Sequence, residues 1–369
     1  ENGGSDGEDM FSRLLDEAME VGVTVSVAAG NDGPDNDGLS GMGSSSLSIT
    51  VGATDDQNTI DREDDTIASY SSRGPRRDNG NNNPLDEFKP EVSAPGTNII
   101  QAEGCVTSGG CTNFLGIGDA SENTYTGRGS GTSYATPAVS GVIALVLEAN
   151  SNLTPLQIKE VLKHTSELRG EPSAPDVDPY WNREFGYGMV DAQQAVELAI
   201  FLRESGQTSA IDHTLQNHGL NMSQDGMINI TGHAWGQSGS VDRVEFRIDG
   251  GEWNEATYSA TPSEIGALTP FLWHVLLDPS KLPMGGHVVE IHATSGNMHS
   301  LPVFYGVNGT GSQTSDSNIP LSAIVLVFLV FLAWCSSLVL VRFRTDDQIE
   351  GMISSLGKSD SDVIDAEIV

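Results

Sequence analysis

The run Val21 to Ala29 (VGVTVSVAA) carries no charge, is rich in β-branched residues and closes on Gly30-Asn31-Asp32-Gly33-Pro34. A continuous apolar run of that length reads as a strand buried on both faces, which is the habit of parallel sheets. Ahead of it, residues 9–21 place Met10, Leu14, Leu15, Ala18 and Met19 at helical spacing. A helix feeding such a strand, which then stops at a Gly/Asn turn, predicts an α/β fold with a parallel sheet flanked by helices. In these sheets function gathers at the carboxyl ends of strands, and Asn31 occupies that end. Ser48 to Ala53 (SITVGA) predicts a second strand and Thr97 to Ala102 a further short one.

Gly131-Thr132-Ser133-Tyr134-Ala135-Thr136-Pro137 leads into the apolar run Ala138 to Leu147. This puts a hydroxyl at the N-terminal end of a buried helix, where unpaired N–H groups and the dipole favour developing negative charge. Two readings follow from the residues alone. Thr132 or Ser133 caps the helix, as Ser and Thr commonly do, or Ser133 is a nucleophile. Thr154-Pro155 predicts another helix start, with Leu156, Ile158, Val161 and Leu162 pointing inward. Gly186-Tyr187-Gly188-Met189-Val190-Asp191-Ala192 opens a last helix that runs to about Arg203.

Asp and Glu number 51 against 18 Lys and Arg, for a formal charge of −33. Phosphate recognition rests on clustered Lys and Arg, so the balance argues against nucleic acid as a partner. It suits a secreted or salt-exposed protein kept soluble by carboxylates. Cys105 and Cys111 flank a Gly/Ser-rich loop and fit a small disulfide in an oxidising compartment, while Cys335 sits in an apolar segment. Asp32, Asp35, Asn36 and Asp37 crowd one turn. Such a turn could hold a structural calcium through oxygen ligands, or be no more than an acidic turn on an acidic surface. No other cofactor is expected, since His274, His287 and His292 lack ligand spacing.

Past the last helix the pattern changes. Residues 1–205 form the first domain, and the polar, Gly/Ser/Gln/Asn-rich stretch 206–226 reads as a linker. Residues 227–308 alternate with period two (Val244, Phe246, Ile248; Phe271, Trp273, Val275, Leu277; Val289, Ile291, Ala293), predicting a small, Ig-like β-sandwich. A second linker, 309–318, precedes 319–341, which is 23 residues without a charge. As a helix that is about 34 Å, enough for a hydrocarbon core near 30 Å. Arg342 and Arg344 follow at once, so the positive-inside tendency puts the acidic tail 342–369 in the cytoplasm. Residues 1–318 are then extracellular, on a single-pass protein of the cell membrane.

Several stretches in order resemble the C-terminal part of a subtilisin-like serine protease (subtilase, peptidase S8) domain. They are Ala28-Ala29-Gly30-Asn31-Asp32-Gly33, Val51-Gly52-Ala53, Tyr70-Ser71-Ser72-Arg73-Gly74-Pro75, Lys89-Pro90-Glu91-Val92-Ser93-Ala94-Pro95-Gly96 and Gly131 through Gly141, with Gly186-Tyr187-Gly188 and Val190-Asp191-Ala192 at the end. The resemblance implies that Ser133 is the acyl-transfer nucleophile and that Asn31 donates its side-chain amide to the oxyanion. It also implies that Ala28, Ala29 and Gly30 form one wall of the substrate cleft, with Gly3 and Gly4 on the opposite wall, and that the substrates are polypeptides. The chain departs from the family in one respect. The Asp-Ser/Thr-Gly and His-Gly-Thr-His settings of the triad Asp and His do not occur. A serine nucleophile needs both partners, so they are expected ahead of Glu1, and the fragment alone is expected to be inactive. The expected function is a membrane-anchored extracellular serine endopeptidase. The competing class is a non-catalytic pseudoprotease used for adhesion or scaffolding, against which the retention of both Ser133 and Asn31 argues.

Overall fold

The computed structural model describes residues 4–39, 41–101, 127–224 and 226–311. Gly3, the three cysteines, the expected membrane span 319–341 and the tail 342–369 lie outside the described residues.

Helix α1 (Met10–Glu20) starts where Asp9 accepts hydrogen bonds from the Phe11 and Ser12 amides, at 2.9 and 3.1 Å. Its expected apolar face divides. Met19 is buried, Leu15 and Ala18 are half-buried, and Met10 and Leu14 stand exposed. The expected strand from Val21 shrinks to β1 (Ser26–Ala28), because Val21 caps α1 and Gly22 turns the chain at φ +101°.

β1 pairs in parallel with β2 (Ile49–Asp55), which pairs in parallel with β4 (Val92–Pro95); β3 (Thr66–Ile67) adds an antiparallel rung at the end of β2. β5 (Ile99–Gln101) and β6 (Gly127–Gly129) form a separate two-stranded antiparallel pair. β2 is buried from Ile49 to Thr54, as a central strand of a covered parallel sheet should be. Helix α2 (Thr132–Ala149) lies against this sheet through Ala135, Val139, Val142 and Val146. Among the described residues α2 is the one helix long and apolar enough to cross a membrane, and its buried side chains belong to the sheet's core.

Helix α3 (Pro155–Thr165) begins with a reciprocal cap between Thr154 and Gln157 and has Pro155 in its first turn, as its sequence predicts. With α4 (Ala192–Glu204) it completes the core through Ile158, Val161, Leu162, Ala195, Leu198, Ala199 and Leu202.

The stretch 206–226, expected as a linker, is not one. Leu215–Ser223 forms β7, pairing antiparallel with β8 (Ile228–Gly236). Its polar composition misleads because those polar groups are consumed against the first domain and against the other sheet of its own module. Gln216 Nε2 donates to Glu160 Oε2 at 3.1 Å, Tyr180 Oη donates to the His218 carbonyl at 2.9 Å, and Asn217 Nδ2 donates to the Ile291 carbonyl at 3.1 Å. Ile211 and Leu301 enter the core of the α/β domain. Trp235 packs with Phe88, Tyr180, Trp181 and Tyr187, an aromatic cluster drawn from both domains.

The period-two region consists of antiparallel strands in two sheets. β11 (Thr257–Tyr258), β12 (Phe271–Leu277), β8 and β7 form one antiparallel sheet. β9 (Arg243–Ile248), β10 (Asn254–Glu255), β13 (Gly285–Ser295), β14 (Met298–His299) and β15 (Val303–Gly309) form the other. Along β12, Phe271, Trp273, Val275 and Leu277 are buried and the residues between them are not. They share one core with Ile228 and Ile230 of their own sheet and Val244, Val289, Ile291 and Ala293 of the other. Each such aliphatic side chain taken fully from water contributes about 1.5–3 kcal/mol.

Candidate active site

Two chain turns meet at the carboxyl edge of the parallel sheet. The first follows β1. Gly30 takes φ +110°, where a Cβ would stand 2.9 Å from Ser72 Oγ, and so delivers Asn31 to the surface. The second precedes α2. Gly131 is the N-cap, at φ +152° and with no side-chain cap bond, which removes Thr132 and Ser133 from the capping role.

The Thr132 hydroxyl is engaged across the cleft edge instead. Asn31 Oδ1 accepts from the Thr132 amide at 2.8 Å and from Thr132 Oγ1 at 3.1 Å, and the Gly30 amide donates to Thr132 Oγ1 at 3.2 Å. With Oδ1 so occupied, the amide orientation of Asn31 is fixed, and its other end is Nδ2, a donor only. Ser133 is the second residue of α2 and is exposed. Pro137 inside the helix lacks the N–H that would bond the Ser133 carbonyl four residues back. A hydroxyl at a helix start thus lies one residue beyond the amide that anchors an oriented side-chain donor. That arrangement can stabilise an oxyanion formed at the serine.

The remaining sequence-predicted residues divide. Ala28 and Gly30 are half-buried and Ala29 is buried, in line behind Asn31. A Cβ on Gly43 would stand 3.1 Å from the Ala28 carbonyl, so the turn at Gly41–Ser44 packs directly beneath this segment. The atoms nearest a side chain built on Gly4 belong to Asp37 and Gly38, and Ser5 N donates to the Leu39 carbonyl at 2.7 Å. In the acidic turn, Asn36 is spent on structure. Its Nδ2 donates to the carbonyls of Gly38 and Arg73, and its Oδ1 accepts from the Arg73 amide. Asp37 pairs with Arg77. No group of three His, Cys, Asp or Glu side chains arranged to hold a metal ion occurs among the described residues.

Two arrangements were not foreseen, although Tyr70-Ser71-Ser72 and Lys89-Pro90-Glu91 belong to the stretches that resemble the family. Tyr70-Ser71-Ser72 clamps the Asn31 turn: Gly33 N donates to the Tyr70 carbonyl, Ser72 N to the Gly30 carbonyl and Asp32 N to Ser72 Oγ. Behind the sheet, buried Glu91 is held by both Lys89 and Lys159, at 2.5 and 2.6 Å. Lys159 lies 68 residues on in α3, beyond the reach of any local pattern.

No described histidine serves Ser133 as a base. His164, the one His of the first domain, is half-buried with Nε2 at 2.9 Å from the Pro302 carbonyl. Burial holds it below its ordinary range despite the carbonyl and nearby Glu160.

A sequence model of the subtilase family (peptidase S8) matches residues 1–188, which contain every element of this site. The chain belongs to the subtilase family. Serine protease AprX of Bacillus subtilis is 39% identical to this subtilase over 189 residues, covering 51% of the chain and 38% of AprX. Bacillopeptidase F of the same organism is 27% identical over 266 residues, covering 66% of the chain and 16% of that protein. The subtilase chain therefore spans well under half the length of these relatives. Among solved structures, fervidolysin from Fervidobacterium pennivorans, a keratinolytic enzyme related to subtilisin, aligns over 81% of the chain and 40% of its own, at 19% identity and a TM-score of 0.38.

Proposed function

We propose that this subtilase chain is the nucleophile-bearing part of a serine endopeptidase that cleaves polypeptides through an acyl-enzyme on Ser133. The observation that carries the reading is the docking of Asn31 Oδ1 on the Thr132 amide and hydroxyl, at 2.8 and 3.1 Å. It ties the side-chain amide of Asn31, by its oxygen, to the residue next to an exposed serine at a helix start. The serine Oγ attacks the scissile carbonyl carbon, its proton passes to a histidine base, and the carbonyl oxygen gains charge that Asn31 Nδ2 and the first-turn dipole of α2 stabilise. Collapse expels the amine with that proton, and water then hydrolyses the ester. The histidine and its orienting aspartate come from residues preceding Glu1. Ala28 to Gly30 line one wall for the residue before the scissile bond, with Gly3 and Gly4 opposite.

The two-sheet module, Ig-like in character, acts as a spacer or docking module between this domain and a membrane span at 319–341. Residues 1–318 are extracellular, and the acidic composition gives no basis for a nucleic-acid partner. A fluorophosphonate probe applied to the protein with its complete catalytic domain is expected to label Ser133 and to leave the Ser133→Ala variant unlabelled. Equal labelling of both forms overturns the assignment.

A further inference from the structure

Tyr70 touches both turns of the site by different atoms. Its main-chain carbonyl accepts from Gly33 N at 2.8 Å, holding the turn that carries Asn31. Its phenol reaches to the other turn. Tyr70 Oη donates to the Gly96 carbonyl at 2.7 Å, lies 2.9 Å from Thr97 Oγ1 and accepts from the Gly131 amide at 3.1 Å. A phenol has one hydrogen, so once that hydrogen is given to Gly96 the remaining two contacts are accepted ones. The Gly131 amide also reaches the Gly96 carbonyl at 2.9 Å. The end of β4, the phenol and the residue two before Ser133 therefore close one small ring of hydrogen bonds.

That ring adds the phenol to the single backbone bond by which the Gly131 amide reaches Gly96. Gly131 is the N-cap without a side-chain cap bond, and its carbonyl accepts the first bond of the helix, from Tyr134 N at 2.9 Å. A Cβ on Gly131 would stand 3.4 Å from Asn31 Nδ2, so its placement also sets the room beside the oxyanion donor. A shift of Gly131 carries Thr132 and Ser133 with it.

We propose that Tyr70 is a positioning residue for the peptidase reaction, its hydroxyl fixing the Ser133 turn against the Asn31 turn that its own carbonyl holds. The assignment rests on the peptidase reading above. Tyr70 touches no reacting atom, so its effect falls on the alignment of Ser133 with Asn31 and not on substrate affinity. In the protein with its complete catalytic domain, Tyr70→Phe removes the hydroxyl and keeps the ring. The expected result is a kcat lower by about threefold to tenfold, the size of one lost neutral hydrogen bond, with KM unchanged within about twofold and the melting temperature nearly unchanged. An unchanged kcat, or a loss carried by KM, overturns the proposal, as does a fall in stability with no fall in kcat.

A second measurement needs no activity. Amide hydrogen exchange in the segment Gly129–Ala135 is expected to quicken severalfold in Tyr70→Phe while the segment around Gly33 stays as it was. Unchanged exchange at Gly129–Ala135 refutes the role of the hydroxyl. If the unaltered protein neither cleaves peptides nor takes the fluorophosphonate, the peptidase reading falls, and the exchange experiment still decides whether Tyr70 holds the turn.

Discussion

Glu91 is the residue whose loss the structure prices most directly. Its side chain is 3% exposed and that of Lys89 1% exposed. Glu91 Oε1 lies 2.5 Å from Lys89 Nζ and 2.6 Å from Lys159 Nζ, while Oε2 accepts from the Thr50 amide of β2 at 2.7 Å. Burial pushes the Glu91 carboxyl up, and Lys159 and Lys89 together pull it below its ordinary value. Burial pushes Lys89 down to about 7 against the pull of Glu91.

Glu91→Gln keeps the shape and an acceptor for Thr50 but leaves the buried Lys89 and the half-buried Lys159 facing an uncharged amide. Removing one partner of a buried ion pair costs about 3–5 kcal/mol. For a domain of this size that is a drop of roughly 6–20 °C in melting temperature. Lys89 retains only the carbonyl of Ser48 at 2.9 Å and a longer contact to that of Ser46 at 3.4 Å.

The pH dependence has a definite sign. Lys89 holds its proton to a higher pH unfolded, near 10.4, than folded. Stability therefore rises with pH between about 7 and 10.4. In the variant the Lys89 pKa falls further, so the deficit against the unaltered protein is expected to narrow as the pH is raised. Thermal melts followed by circular dichroism at several pH values read both effects. A variant that melts within about 2 °C of the parent, or a deficit that widens with pH, refutes the reasoning. The pair Lys89→Met and Glu91→Leu together is expected to recover most of the loss. It removes the buried charges in company, and Lys159, with its own carbonyl acceptor at Ser46 (3.0 Å), is not left wholly stranded.

Two further outcomes follow from the same kind of accounting. His292 is 3% exposed, stacked on Trp253 at 4.0 Å and beside His299, Glu245, Arg243 and Arg247. Burial, with those cations adding to it, pushes the imidazole down to about 3. Unfolding lets it take up a proton near pH 6.5, so its contribution to stability is present above that pH and is lost as the pH falls toward 3. Urea unfolding should show this slope, at most about 1.4 kcal/mol per pH unit from this one group, and His292→Phe should flatten it. Gly30→Ala places a Cβ at φ +110° and 2.9 Å from Ser72 Oγ. About 1–3 kcal/mol of strain is expected, read as a lower urea midpoint together with slower fluorophosphonate labelling, because Asn31 is the next residue.

Much of the architecture was legible because it rests on local chemistry. The Thr154–Gln157 reciprocal cap and Pro155 begin α3 where the sequence puts it, and the alternation through Phe271, Trp273, Val275 and Leu277 maps onto the buried face of β12. The errors arose where tertiary contacts override composition. Val21 and Val23 are apolar yet exposed, because β1 starts only at Ser26. Residues 215–223 are polar yet form a strand, because Gln216 and Asn217 are satisfied by Glu160 and the Ile291 carbonyl. For the site, the ordered motifs named Asn31 and Ser133, but nothing in them told that Thr132 engages Asn31.

By itself the sequence determined the class of the fold and the identity of the residues at the carboxyl edge of its sheet. Helical spacing, buried apolar runs and glycine-marked turns are properties of neighbouring residues, and neighbouring residues are what a sequence records. Only the tertiary structure decided that Thr132 orients Asn31 and that Gly131, not a hydroxyl, caps the serine helix. It alone placed the Tyr70 phenol against Gly131, 61 positions away, and two lysines on one buried glutamate. Those bonds depend on distances of about 3 Å between groups far apart in the chain. No periodicity or motif encodes such distances; they are set when the packed core of β2, β4, α2 and α3 fixes the strand ends.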